Sequence, residues 1–65
     1  MTLREVIDVA RAEGRWATCI SWSGRGFVWF GGARPLFATK MSGWETSDWV
    51  PTVDDLTGTD WRVVP

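Results

Sequence analysis

The chain has 65 residues, of which 45% are hydrophobic and 23% are charged, and its formal net charge is −1. This length limits it to a single domain, residues 1–65, and a domain this small buries only about 60% of the surface that its unfolded chain exposes. Cys19 is the single cysteine and histidine is absent, which excludes an intramolecular disulfide and argues against a zinc site. We therefore expect no metal or cofactor, and we expect self-association to supply stability that the core lacks.

The charges are unevenly distributed along the chain. Residues 41–61 carry five carboxylates and no basic side chain. A protein that binds long nucleic acid needs a continuous basic surface, and the sequence shows none. Residues 1–14 are interrupted by charges, so they predict neither a secretion signal nor a membrane span. These features favour a cytoplasmic protein.

The first element predicted is a helix over residues 3–13. Thr2 and Glu5 form the pattern of a capping box. Gly14 is well placed to end the helix. Apolar side chains recur at helical spacing, at Leu3, Val6, Ile7 and Ala10.

After Gly14 the pattern changes to short apolar runs separated by glycine-containing turns. These runs predict strands over residues 16–22, 27–30, 36–41, 44–50 and 61–64, with the fourth strand at an edge. Thr52 and Asp55 repeat the capping pattern and predict one helical turn, which Gly58 ends. The fold class predicted is α+β: an N-terminal helix, then a small, strongly curved antiparallel sheet or partial barrel, with one short helical turn near the C-terminus.

Catalytic machinery is scarce in this sequence. No histidine or suitably placed lysine is present to activate a serine or threonine. Asp54, Asp55 and Asp60 are the only acid/base candidates, and a chain of this size seldom builds a cleft between two carboxylates. We therefore expect no catalytic residues and no enzymatic activity. The turn around Arg25 leads into a strand and not into a helix, so it is a poor phosphate loop, but Arg25 itself is a candidate phosphate contact.

Six tryptophans and three phenylalanines are more aromatic surface than one very small core readily encloses. One interpretation places at least one indole in a subunit interface or a ligand pocket. The other interpretation is that all six fill the core. Exposed indole faces would stack on a nucleobase or on a sugar ring.

Residues 49–61, WVPTVDDLTGTDW, carry the most specific motif. Their pattern resembles the W-x-P-S-x-x-D-L-x-A-x-D-W ending of the small phage sponge family called Thoeris anti-defence protein two, with Thr52 in place of Ser and Gly58 in place of Ala. An N-terminal helix, a glycine and a turn similar to G-W-x-G also have counterparts here, the turn being residues 21–24. The resemblance implies a small SH3-like or α+β domain that forms homo-oligomers, typically tetramers built as dimers of dimers.

The resemblance also implies a function in the cytoplasm of an infected host cell. Members of this family bind cyclic ADP-ribose-type signals, and in some cases cyclic oligonucleotides, between subunits and sequester them without cleavage. By position, Trp22, Trp49, Pro51, Thr52 and Asp55 would lie near that pocket. Trp49 would stack on a base, Thr52 would bond a ribose or phosphate, and Asp55 would accept from a base edge or a ribose hydroxyl. Each of these three also has a structural interpretation: Trp49 as core, Thr52 as a helix cap, and Asp55 as the partner of that cap.

The basic residue that the resemblance leads us to expect before the G-W turn is absent, because residues 17–19 are Ala, Thr and Cys. Arg25 or Arg34 would then supply the phosphate contact. The alternative from another class of function is a protein-binding inhibitor of a host defence component, such as a CRISPR effector, that acts through its tryptophan-rich surface.

Overall fold

The structure, a computed structural model, describes residues 1–40 and 43–65. It consists of an N-terminal helix, a five-stranded antiparallel sheet and one further short helix, which confirms the α+β class. In chain order the elements are α1 (Leu3–Glu13), β1 (Trp16–Cys19), β2 (Gly26–Trp29), β3 (Leu36–Lys40), β4 (Trp44–Asp48), α2 (Val53–Thr57) and β5 (Trp61–Val63). None of the described helices is long and apolar enough to cross a membrane.

Helix α1 has the bounds and the caps that the sequence predicts. The Glu5 amide donates to the Thr2 hydroxyl over 3.3 Å, and the Thr2 amide donates to the Glu5 carboxylate over 3.0 Å. Gly14 ends the helix in the left-handed conformation, with φ of 63°, which glycine adopts without the steric penalty of a Cβ atom. Val6 and Ala10 are buried, so this face of α1 forms one side of the core.

The strand order in the sheet is β4-β3-β2-β1-β5, and every neighbouring pair is antiparallel. The last strand therefore lies beside the first, and α1 packs against both. The sheet is not closed into a barrel, and β4 and β5 are its two edges. The prediction of an edge position for β4 is confirmed.

The two faces of the sheet differ. One face packs against α1 and forms the core, with Ala17, Val28 and Trp61 among its buried side chains. We call the opposite face the aromatic face. The strand registers show which residues lie on it, because they align Trp16 with Trp29 and Trp29 with Leu36. Its apolar side chains are Trp16, Phe27, Trp29, Leu36, Ala38 and Trp44. Only Ala38 among them is fully buried.

Several strand boundaries differ from the prediction. The first strand stops at Cys19, and residues 20–22 form a 3₁₀ turn, Ile20–Trp22. The reason is that the Ser21 amide donates to the carboxylate of Asp60 and the Ser23 amide to the carbonyl of Ile20, so these groups bond outside the β ladder.

Other differences are smaller. The second strand begins and ends one residue earlier than predicted, the fourth ends at Asp48, and the last ends at Val63. The predicted third strand ran to Met41, which lies outside the described residues together with Ser42.

Candidate functional site

The core face carries an aromatic cluster centred on Trp61, which is only 2% exposed. The ring of Trp22 lies 5.0 Å from Trp61 and that of Trp49 lies 5.8 Å from it, both edge to face. Trp22 also packs edge to face on Phe37, and Trp49 on Phe30. We refer to Trp22, Trp49 and Trp61 as the indole cluster. Trp61 is thus a packing residue, and its ring contacts the rings of both Trp22 and Trp49.

Helix α2 is held against this cluster by one hydrogen bond. The indole Nε1–H of Trp61 donates to the carbonyl oxygen of Asp55 over 3.0 Å. The loop that leads back to Trp61 needs a small residue at position 58, because a Cβ atom on Gly58 would lie 3.1 Å from the Asp54 carbonyl oxygen and 3.2 Å from Oδ1 of Asp60. Contacts within residues 49–61, together with contacts between α2 and α1, therefore position α2 beside the indole cluster.

The first turn of α2 contains the predicted capping box. The Asp55 amide donates to the Thr52 hydroxyl over 3.2 Å, and the Thr52 amide donates to Oδ2 of Asp55 over 2.9 Å. The structural interpretation of both side chains is therefore confirmed. Capping uses one lone pair of the Thr52 hydroxyl and one oxygen of Asp55, which leaves the hydroxyl proton and Oδ1 as groups that a ligand would meet. Pro51 and Thr52 are exposed, and Asp55 is half-buried.

At the other end of the cluster, Trp22 is followed by the turn that carries Arg25. The Arg25 amide donates to the Trp22 carbonyl over 3.0 Å, and the side chain of Arg25 is exposed. Asp60 anchors the same region, since its carboxylate accepts the Ser21 amide over 3.0 Å. This bond lowers the pKa of Asp60. Asp60 is therefore a charged structural anchor. A general acid would need a raised pKa and not a lowered one.

The structure divides the sequence-predicted site residues into two groups. Trp22 and Arg25 form one group, and Trp49 with residues 51–55 forms the other. Both tryptophans are half-buried, and each contacts Trp61 edge to face. No pocket opens within one copy of the chain over residues 1–40 and 43–65. Among those same residues, no three cysteine or carboxylate side chains cluster closely enough to hold a metal ion.

Sequence reasoning missed the aromatic face and the anchoring role of Asp60. The signal for the face is the alternation within β2, where Phe27 and Trp29 project to one side and Val28, which is fully buried, projects to the other. Phe27 lies 5.4 Å from Trp44, and Trp16 lies 5.5 Å from Trp29. The tryptophans are thus divided between the two faces of the sheet, with Trp22, Trp49 and Trp61 on the core side and Trp16, Trp29 and Trp44 on the aromatic face.

Comparison of the chain with protein-family models, with curated proteins and with solved structures found no match.

Proposed function

We propose that this protein is a phage anti-defence protein that binds a cyclic nucleotide immune signal and sequesters it without cleavage. The ligand class is a cyclic ADP-ribose-type signal or a cyclic oligonucleotide. The observation that carries the proposal is the convergence of the two groups of site residues on Trp61, with ring distances of 5.0 Å to Trp22 and 5.8 Å to Trp49.

The chemistry of the two groups suits a nucleotide. Half-buried indoles offer aromatic surface on which a base can stack. Arg25 supplies an exposed guanidinium for a phosphate. The hydroxyl of Thr52 and the carboxylate of Asp55 match the hydroxyls of a ribose or the donors of a base edge. The sequence has no histidine, the side chain that acid/base catalysis uses most often, and we therefore infer binding without cleavage.

A ligand of this size needs more enclosure than one copy provides. Small-molecule sites commonly enclose most of the ligand surface, and the described part of a single chain forms no pocket. We therefore propose that the site is completed by another copy in a homo-oligomer, as a tetramer built from two dimers. The protein would act in the cytoplasm of the infected host cell.

The decisive experiment measures sequestration and release. Purified protein is mixed with a panel of cyclic ADP-ribose isomers and cyclic di- and trinucleotides, and free ligand is measured after ultrafiltration. The retained ligand is then released by heating and analysed by mass spectrometry. We expect depletion of one ligand class and recovery of the same intact molecule. Recovery of a hydrolysed product, or depletion of none of the panel, contradicts the proposal.

Charged and polar rim residues give the sharpest variants, because Trp49 also packs on Phe30 and Trp61 and its removal would disturb the fold. We expect Asp55→Asn to weaken binding about tenfold or more, by loss of a charged acceptor. Asp54→Asn is its matched control, since Asp54 is an exposed neighbour in the same helical turn and lies outside the predicted site.

Arg25 is tested in the same way. Arg25→Gln should weaken binding by a similar factor through loss of the phosphate contact. Arg11→Gln, an exposed change near the end of α1, should not. Equal binding by a variant and its control would remove that residue from the site.

A second function is favoured by the aromatic face, where Trp44 is 57% exposed. Large exposed aromatic side chains are typical anchors of protein interfaces. A protein-binding inhibitor of a host defence component would use this face. A stoichiometric complex with such a component, together with no binding of any nucleotide in the panel, would favour this second function over the first.

A further inference from the structure

The two edges of the sheet differ in how their backbone groups are bonded. At the β5 edge, the amine of Met1 donates to the Trp61 carbonyl over 3.0 Å and the Trp61 amide donates to the Met1 carbonyl over 3.1 Å. Within residues 1–40 and 43–65, strand β4 pairs only with β3, and all five of its residues are exposed. Its sequence, WETSD, has no proline or lysine and its register with β3 contains no bulge, so the carboxylates of Glu45 and Asp48 are the edge-protecting features that it has.

The backbone groups that β4 presents outward follow from its register with β3. The Trp49 amide donates to the Pro35 carbonyl over 3.2 Å, and this bond flanks the pair Leu36 and Asp48. In an antiparallel ladder a pair flanked by hydrogen bonds in this way is a non-hydrogen-bonded pair, so Leu36 and Asp48 form one. Hydrogen-bonded and non-hydrogen-bonded pairs alternate along the ladder. The amides and carbonyls of residues 45 and 47 therefore face β3, whereas those of residues 44, 46 and 48 point away from it.

We propose that β4 pairs antiparallel with β4 of a second copy about a two-fold axis through Thr46. In this register Thr46 lies opposite Thr46 of the partner subunit, and residues 44 and 48 of each copy lie opposite 48 and 44 of the other. All three pairs consist of residues whose backbone amides and carbonyls point away from β3, so these groups can bond across the new interface. At two hydrogen bonds for each such pair, the edge would form six new backbone bonds, and the two sheets would become one.

Side-chain charge selects this register. Glu45 lies opposite Ser47 of the partner subunit, and Trp44 lies opposite Asp48 of the partner subunit, so no two carboxylates face each other. The indole N–H of Trp44 is a donor for that aspartate. An axis through residue 45 would oppose two glutamates, and an axis through residue 47 would reduce the bonded pairs from three to two.

The same pairing extends the aromatic face. Trp44 lies 5.4 Å from Phe27 and is 57% exposed at the rim of the sheet. Joining the β4 strands brings the aromatic faces of the two copies side by side, and cross-strand contacts then cover part of each Trp44 ring. The interface is small and rests on backbone bonds, so we expect a dimer that dissociates on dilution. This pairing does not rest on the proposed nucleotide ligand.

Two cysteine variants test the register. In the proposed register residue 45 of each copy lies opposite residue 47 of the other in a non-hydrogen-bonded pair, in which the Cα atoms are about 4.5 Å apart and the side chains are close, and a disulfide bridges Cα separations of about 4.4–6.8 Å. A mixture of Glu45→Cys and Ser47→Cys chains should therefore form a disulfide-linked dimer when oxidised by air or glutathione. Each variant alone is the matched control, because two copies of residue 45, or two copies of residue 47, are diagonal neighbours about 7–8 Å apart. Both variants retain the buried Cys19. Equal cross-linking in the mixture and in the single variants, or none in the mixture, overturns the proposal.

A proline variant tests the backbone bonds. Thr46→Pro removes an outward amide and leaves the ladder between β3 and β4 intact. Sedimentation over a range of concentrations should show a dimer for the wild type and for the control Thr46→Val, and association weakened about tenfold or more for Thr46→Pro. A wild type that stays monomeric at every concentration overturns the pairing. If Thr46→Pro does not fold, as judged by circular dichroism, the cysteine comparison decides. A chain that sequesters nucleotide without this dimer refutes the pairing and leaves the proposed function standing.

Discussion

Replacement of Trp61 by phenylalanine should destabilise the protein by about 1.5–3.5 kcal/mol. The indole is 2% exposed and contacts both Trp22 and Trp49. Phenylalanine would lose the 3.0 Å hydrogen bond to the Asp55 carbonyl, a contribution of about 0.5–1.5 kcal/mol. It would also leave a cavity where the outer, six-membered part of the indole was, which costs about 1–2 kcal/mol by comparison with other large-to-small core changes.

Urea unfolding followed by far-ultraviolet circular dichroism measures this free energy without depending on tryptophan fluorescence. In a domain of this size the loss corresponds to a fall in Tm of about 6–28 °C. Trp44→Phe is the matched control, because Trp44 is 57% exposed and its replacement should change the free energy of unfolding by less than about 0.5 kcal/mol. Both variants should be measured at concentrations where the chain is monomeric. A free energy of unfolding for Trp61→Phe within about 0.5 kcal/mol of the wild type would refute the central packing role of Trp61.

Three further predictions concern the rest of the fold. The N-cap amide and hydroxyl donate to the carboxylate of Glu5 and lower its pKa, so its stabilising effect is present above the unfolded-state pKa and is lost as the pH falls through the folded-state pKa; an NMR titration that gives the same pKa as an unfolded peptide would contradict this. Burial raises the pKa of the Cys19 thiol, so a disulfide reagent at pH 8 should label native protein far more slowly than protein in urea, and equal rates would argue against burial. Gly26→Ala should cost about 1–3 kcal/mol, because its Cβ atom would lie 3.0 Å from two ring carbons of Phe37, whereas Gly32→Ala, with nothing nearer than 3.9 Å, should be close to neutral in urea unfolding.

The elements that depend on local backbone chemistry were predictable from the sequence. Thr2 and Glu5 determine the start of α1 through bonds within three residues, and Gly14 determines its end. The same capping logic located the first turn of α2 at Thr52 and Asp55. These signals need no knowledge of the rest of the fold, because every partner is a near neighbour in the chain.

The features that were missed depend on distant partners. The first strand ends at Cys19 because the next amides bond elsewhere, and one of them bonds Asp60, which is 39 residues away from Ser21. The distribution of the tryptophans depends on strand register, which aligns Trp16 with Trp29 on one face and Cys19 with Trp61 on the other. A shift of one residue in any strand would exchange these faces, so composition alone could not separate core indoles from surface indoles.

The central position of Trp61 makes folding and the proposed binding depend on the same contacts. It touches both half-buried indoles and holds α2 through the Asp55 carbonyl. Substitutions within the indole cluster will therefore change stability and binding together, and loss of binding in such a variant would not by itself assign a ligand contact. The exposed guanidinium of Arg25 separates the two effects, whereas the carboxylate of Asp55 also accepts the Thr52 amide, so for Asp55 the stability of the free variant is measured beside its binding. A ligand that binds only the folded protein should raise its free energy of unfolding by about 2.7 kcal/mol at a hundredfold excess over Kd, and that gain should fall in Asp55→Asn even where the stability of the free variant is unchanged.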